Sequence, residues 1–199
     1  MRLARVIPPF VLAAASAASA ATLPAQTPSL RPQPSGRATS EVTLAVPSTP
    51  GAPAPAGATP KSIRVDYGQP HLRGRRLHTD SLVPYGAPWR TGANARTTLR
   101  TEVPLTLGTA PLDTGTYVLW TLPTPAGWTL IVQKPEALSA DDYEQRLDVA
   151  RVPLRRRELP APIESLTMWL IPSTAPGAAR GELRLAWGTV ELSTDWSVR

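Results

Sequence analysis

The sequence predicts an all-β domain, an antiparallel β-sandwich or jelly-roll-like unit with one short helix. Three observations carry that prediction. Apolar residues recur at every second position in the runs 99–107, 163–171 and 183–192. Glycine and proline break those runs at close spacing. A helical signature is confined to Ser139–Leu147. Short alternating runs separated by turn residues are the mark of two-layered antiparallel architectures, and a parallel βαβ fold is disfavoured because it needs recurrent helices.

Taken in order, the chain opens on Met1-Arg2-Leu3-Ala4-Arg5, with two cations and no acid, then the apolar run VIPPFVLAAASAASA. A basic flank, a short apolar stretch interrupted by Pro8 and Pro9, and the small-residue site Ala18-Ser19-Ala20 read as an export signal at 1–20. The stretch is too short and too rich in Ala and Ser for a spanning helix, which wants ~20 strongly apolar residues. Residues 21–61 read as a Pro/Ala-rich disordered linker, since they carry nine prolines and few large apolar side chains. Within it, Val42-Thr43-Leu44-Ala45-Val46 is either a short strand or a partner-binding scrap.

Residues 62–199 are the expected folded domain. Leu99, Val103, Leu105 and Leu107 share one face, opposite Arg100, Glu102 and Thr106. TYVLWTL (116–122) and WTLIVQ (128–133) are β-branched and aromatic strands joined by a Pro/Gly turn. Leu166, Met168 and Leu170 form a further stripe. So do Leu183, Leu185 and Trp187, with a break at Gly188 before Val190 and Leu192. In the helical segment, Ser139 suits an N-cap and Arg146 the last turn.

Composition narrows the chemistry. The chain has no cysteine, which removes disulfides, thiol catalysis, lipid-thioether anchoring and cysteine zinc sites. Its net charge is +6, yet residues 62–199 hold sixteen basic and fourteen acidic residues, and nineteen of all twenty-one bases are Arg. That near balance, together with export, argues against a nucleic-acid partner. Arg155-Arg156-Arg157 reads as a solvated strand end, with acidic envelope polymers or phosphates as its other use. His71 and His78 read as exposed loop residues, because two histidines without a third ligand make no zinc site. No nucleophile elbow, phosphate loop or zinc-protease helix is present. No catalytic residue, metal or cofactor is therefore expected.

The chemically dense stretch is 62–99. Trp89 beside Arg90 offers a flat apolar face next to a forked cation, suited to sugars, carboxylates or phosphates, and Asn94 either closes a turn or reads hydroxyls. Asp66 and Asp148 border strand-like residues where their acidity can be shifted. The expected polar cluster comprises Asp66, Tyr67, Arg75, Tyr85, Trp89, Arg90, Asn94, Thr97 and Asp148. It is either a structural knot around Arg90 or a site for a small anion or glycan. A third reading is an envelope glycan hydrolase using Asp66 and Asp148.

The same block resembles the bacterial exported family catalogued as domain of unknown function 2911. The matching residues are Tyr67-Gly68, Pro70, Gly74-Arg75, Leu82-Val83-Pro84-Tyr85-Gly86 and Trp89-Arg90-Thr91-Gly92-Ala93-Asn94. Further matches are Thr97-Thr98, Gly115-Thr116-Tyr117 before Trp120, Asp148-Val149 and Ala186-Trp187. The resemblance covers nearly all of 62–199. It implies a compact, mostly antiparallel β domain in exported or envelope proteins, periplasmic or extracellular, with no accepted substrate or cofactor. The segment PEALSADDYEQRL (135–147) departs from the family pattern, and neither histidine falls on a motif position.

Overall fold

The computed structural model describes residues 29–45, 59–136 and 142–199. The export signal at 1–20, the linker stretch 46–58 and the expected N-cap Ser139 lie outside them. From Pro32 onward the chain forms one compact unit. It is all-β, a single nine-stranded antiparallel sheet in the order β1-β2-β3-β6-β7-β8-β9-β4-β5. The strands are β1 Arg37–Leu44, β2 Lys61–Gly68, β3 Thr98–Thr101, β4 Leu105–Leu107, β5 Ala110–Leu112, β6 Gly115–Thr124, β7 Gly127–Gln133, β8 Asp148–Pro172 and β9 Arg180–Val198.

Three expectations are revised. The stretch read as linker contains β1, which pairs with β2 from Arg37↔Gly68 to Leu44↔Lys61. The sheet thus starts well before residue 62. The run 99–107 is two strands, β3 beside β2 and β4 beside β9, because Pro104 cannot donate to a ladder and the chain crosses over there. The short helix reduces to a 3₁₀ turn at Gln145–Leu147, with Arg146 in its last turn and Leu147 buried.

Sandwich-like closure comes from the two long strands. β8 pairs with β7 through its first residues and with β9 from Arg155 to Pro172. Register shifts between Glu158 and Ile163, and again between Ile163 and Thr167, bend it near Pro160 and Pro162. Bulges bend a strand and re-aim its side chains. The far half of β8 then folds back over the start of the sheet. The Leu166 amide donates to Pro70 O (2.9 Å) and the Leu72 amide to Glu164 O (2.8 Å). Met168 N donates to the Tyr67 hydroxyl (3.0 Å) and Leu170 N to Ser40 Oγ (2.8 Å). Between the layers lie Ile63, Val65, Leu99, Leu119, Leu130, Val132, Leu166, Leu185 and Trp187, all buried. The stripes at 166–170 and 183–187 face this core as the alternation requires.

A second apolar cluster, Val118, Trp120 and Ile131, sits on the opposite face of β6 and β7. Tyr143, just before the 3₁₀ turn, covers it edge-on at 5.6 Å from Trp120.

Candidate functional site

The motif loop 83–97 takes the place of a strand. β3 covers only the first residues of β6, up to Val118. Beyond that point the loop satisfies the exposed edge of β6. Leu119 N donates to Thr97 O, Trp89 and Thr121 exchange two backbone bonds of 2.8 Å, and Gly86 N donates to Pro123 O. A buried strand edge must find such partners. In this extended geometry neighbouring side chains point to opposite faces. Trp89 turns inward and stacks on Trp187 at 5.6 Å, while Arg90 faces out, donating from its guanidinium to Asn94 O of its own loop (3.3 Å). The two side chains do not converge.

The rest of the motif is a backbone latch. Ala93 N donates to Gly68 O (3.2 Å), and a Cβ on Gly68 would stand 1.7 Å from Ala93 O. A Cβ on Gly92 would stand 2.7 Å from Thr97 Oγ1. The buried Thr97 hydroxyl donates to Thr91 O (2.9 Å). Asn94 sits at φ 61°, in the left-handed region that Asn tolerates, and its amide donates to Ser35 O ahead of β1 (3.0 Å). Tyr67 is buried and receives the Met168 amide, so its hydroxyl is structural.

Neither carboxylate joins this cluster. Asp66 accepts from the Arg64 guanidinium (2.7 and 2.8 Å) and from the Thr39 hydroxyl (2.6 Å). The Arg64 hydrogen bond is the main reason its pKa falls to about 2. Asp148 accepts from Gln133, Tyr143 and Arg151, each at 2.8 Å. Burial first, and Asp148 second, push the Tyr143 hydroxyl up to about 12. In register, Asp66 lies across from Thr98, Thr98 from Val118, Val118 from Gln133, and Gln133 from Asp148. Four strand spacings of ~4.8 Å separate the two acids by roughly 19 Å along the sheet. Glycosidase carboxylates stand about 5–10 Å apart, so this pair lacks the hydrolase geometry.

Open clefts lie elsewhere on the domain. A cleft of about 580 Å³ separates the 72–78 loop from the middle of β8 and β9, and Arg75, Arg76, His78, Arg156 and Glu158 line it. A second cleft of about 340 Å³ adjoins it, sharing Arg156 and Glu158 and bounded by Tyr85. The loop is seated by Leu72 and by Gly188, which does not break β9 as the sequence suggests but sits inside the continuous strand, opposite Ile163 at the register shift, with a φ of 60° and a missing Cβ that leaves room for Leu77. His71 Nδ1 meets Ser165 Oγ at 2.7 Å, and Arg73 N donates to Glu164 Oε1 at 2.7 Å.

Each cleft residue has a distinct state. Arg75 donates to Leu72 O and His71 O, which fixes its guanidinium at the rim. Arg76 is exposed. Arg156 pairs with Glu158 at 2.8 Å, both about half exposed. His78 is half-buried, stacked face to face on Tyr85 at 4.2 Å and edge-on to Trp128 at 5.4 Å. Burial lowers its pKa, so the neutral ring is favoured. His78 Nδ1 lies 3.2 Å from Val83 O. A carbonyl only accepts, so Nδ1 carries the proton and Nε2 is left as an acceptor. Nε2 is buried with no partner among the described residues.

Of the residues expected from sequence, Arg75 and Tyr85 line these clefts. Arg76, His78, Arg156 and Glu158 line them too and stand outside the polar cluster expected from sequence, although the Arg155–Arg157 run is read there as a possible contact for phosphates or acidic polymers. The Arg75-Arg76-Leu77-His78 run was visible, but nothing local ties it to residues some eighty positions later. Arg155–Arg157 proves to be mid-strand rather than a strand end. Its members pair with Asp195 and Glu182, Glu158, and Glu191 respectively. Both histidines are half-buried rather than exposed.

Together, the folded-over antiparallel sheet, the glycine latch and the Trp89 plug define an all-β domain with an open cleft, mainly apolar in lining and rimmed by charged side chains, at the β8–β9 bulge. The family model for "Protein of unknown function (DUF2911)" matches residues 50–195, and the chain belongs to that family. The match begins after β1, so β1 lies outside the matched region. No curated protein and no solved structure gives a significant match. Among the described residues no helix is long and apolar enough to cross a membrane, and no group of three or more metal-ligating side chains forms.

Proposed function

We propose that this chain is an exported, non-enzymatic β domain that holds a small anion or a glycan in the cleft between the 72–78 loop and β8–β9. The signal-like segment 1–20 supports the export half of this reading. N-terminal sequencing of secreted protein tests it, and a mature chain that still begins at Met1 contradicts it. The observation that carries the binding half is the cleft itself. Three arginines, Arg75, Arg76 and Arg156, line one open volume of about 580 Å³ beside Glu158 and Glu164, of a size usual for small-ligand sites. Forked guanidiniums suit planar carboxylate and phosphate partners. The Trp89 loop supports the sheet and takes no ligand.

The experiment is a thermal-shift and calorimetric screen of phosphate, simple carboxylates, hexoses and hexuronates against the wild type and Arg156→Ala. Arg156–Glu158 is an exposed pair of the kind worth about 0–1 kcal/mol, so the variant should keep its fold. The expected result is binding weakened roughly tenfold, one charge-assisted contact of ~1.4 kcal/mol. Binding untouched by the variant, or no binding by any compound, overturns the assignment.

A further inference from the structure

The lining of the cleft divides into an apolar part and a charged rim. Exposed Pro162 and half-buried Leu77 present hydrocarbon to it, beside the buried Leu72 and Val190. On the rim, the three cations Arg75, Arg76 and Arg156 stand against the two carboxylates Glu158 and Glu164, which leaves a single net positive charge. His78 adds none, since burial favours its neutral ring. The three guanidiniums are not equally available. Arg75 is turned onto the Leu72 and His71 carbonyls, and Arg156 gives one N–H to Glu158. Arg76 is exposed and has no partner among the described residues.

A ligand matched to this lining carries one negative charge and an apolar body. Phosphate has no apolar body and, as the dianion, brings a second charge towards the two glutamates. A sugar acid has the right charge, but its ring hydroxyls would lose water against Leu72, Leu77 and Val190, whose side chains offer no polar partner. We infer that the cleft takes a monocarboxylic acid with an apolar body, its carboxylate on Arg76 and Arg156 and its hydrocarbon against Leu72, Leu77, Pro162 and Val190. The guanidinium fork suits a planar carboxylate and fixes the orientation of the acid. The hydrocarbon supplies the larger share of the affinity, because each buried CH₂ is worth about fourfold. The class includes compact ring acids and the head of a longer fatty acid. The inference rests on the cleft being the binding site, and it chooses among the anions and glycans that reading admits.

The test measures acetate, cyclohexanecarboxylate, glucuronate, cyclohexanemethanol and phosphate by calorimetry against the full chain. Cyclohexanecarboxylate should bind roughly sixty-fold more tightly than acetate, the weight of about three buried CH₂ groups. Glucuronate and phosphate should fall roughly tenfold or more below it. Its binding should also carry a negative heat-capacity change, the marker of apolar burial. Arg76→Gln, at an exposed position, should weaken cyclohexanecarboxylate about tenfold and leave cyclohexanemethanol unchanged. Decanoate separates the two sources: a further gain of about tenfold over the ring acid marks a fatty acid, and equal affinity marks a compact one. Glucuronate or phosphate binding as tightly as cyclohexanecarboxylate, or Arg76→Gln leaving that acid unaffected, overturns the inference. The cleft then still stands as the binding site if Arg156→Ala weakens whatever binds. Binding indifferent to Arg156→Ala, or no binding by any compound, overturns both.

Discussion

Gly68 and Ala93 show at the scale of single residues why the motif reads as it does. Their backbones touch, and nothing larger than hydrogen fits on Gly68 Cα. Gly68→Ala should therefore destabilise by ~3 kcal/mol or more, at the upper end of overpacking costs, because the obstacle is backbone and cannot rotate away. Urea unfolding checks this, and a loss under ~1 kcal/mol would mean that the latch is loose. Asp66 makes a second residue-scale case. Its pKa is held at about 2, below the ordinary 3.8, chiefly by the Arg64 hydrogen bond. A depressed folded value means that the carboxylate adds stability above the ordinary value and loses it as pH falls towards 2. Asp66→Asn should cost about 1–2 kcal/mol at neutral pH. The gap to wild type should close as unfolding curves are repeated from pH 5 down to pH 2. A gap independent of pH would place the contribution elsewhere. The residue types of this stretch were legible in the sequence, but their partners were not. Asp66 finds Arg64 two positions away on its own strand face, a spacing that period-2 geometry permits without announcing.

Among the elements, the loop 83–97 does the work of a strand without the sequence of one. Alternation gave the ladder β6–β7 and the stripes of β8 and β9, because each buries one face or both. The loop carries Pro84, Gly86, Pro88 and Gly92, which mask its pairing with β6 behind turn chemistry. β3 and β4 show the reverse error. They share an even spacing across Pro104, so periodicity alone joined two strands that lie in different parts of the sheet. β1 was legible only at its end, where Val42-Thr43-Leu44 reads as a possible short strand; the rest lacks large apolar residues, since its burial rests mainly on Val42. If the loop is a structural cover, Trp89→Ala should cost ~3–5 kcal/mol as a large core truncation. A double-mutant cycle with Trp187 should recover about 0.5–1.5 kcal/mol of coupling from the stacked pair. Additive losses would show that the two indoles do not support each other.

At the scale of the whole molecule, the bend in β8 decides where a ligand has room. Pro160 and Pro162 break the β8–β9 register, Gly188 answers on the facing strand, and the 72–78 loop seats against the gap, leaving the cleft beside it. The sequence displayed each of these signals separately, as prolines, a glycine break and an arginine-rich loop. Only the fold brings Arg76 and His78 to Arg156, which is why the cleft was not foreseen while the all-β class was. On the function proposed above, ligand enters at this cleft and the Trp89–Asn94 loop is scaffold. Titrating cyclohexanecarboxylate into nitrogen-15-labelled protein and following backbone amide shifts tests that division most directly. The expected shifts are concentrated at 74–78, 156–158 and 188–190, with 89–94 unmoved. Shifts concentrated at 89–94, with the cleft silent, would contradict it.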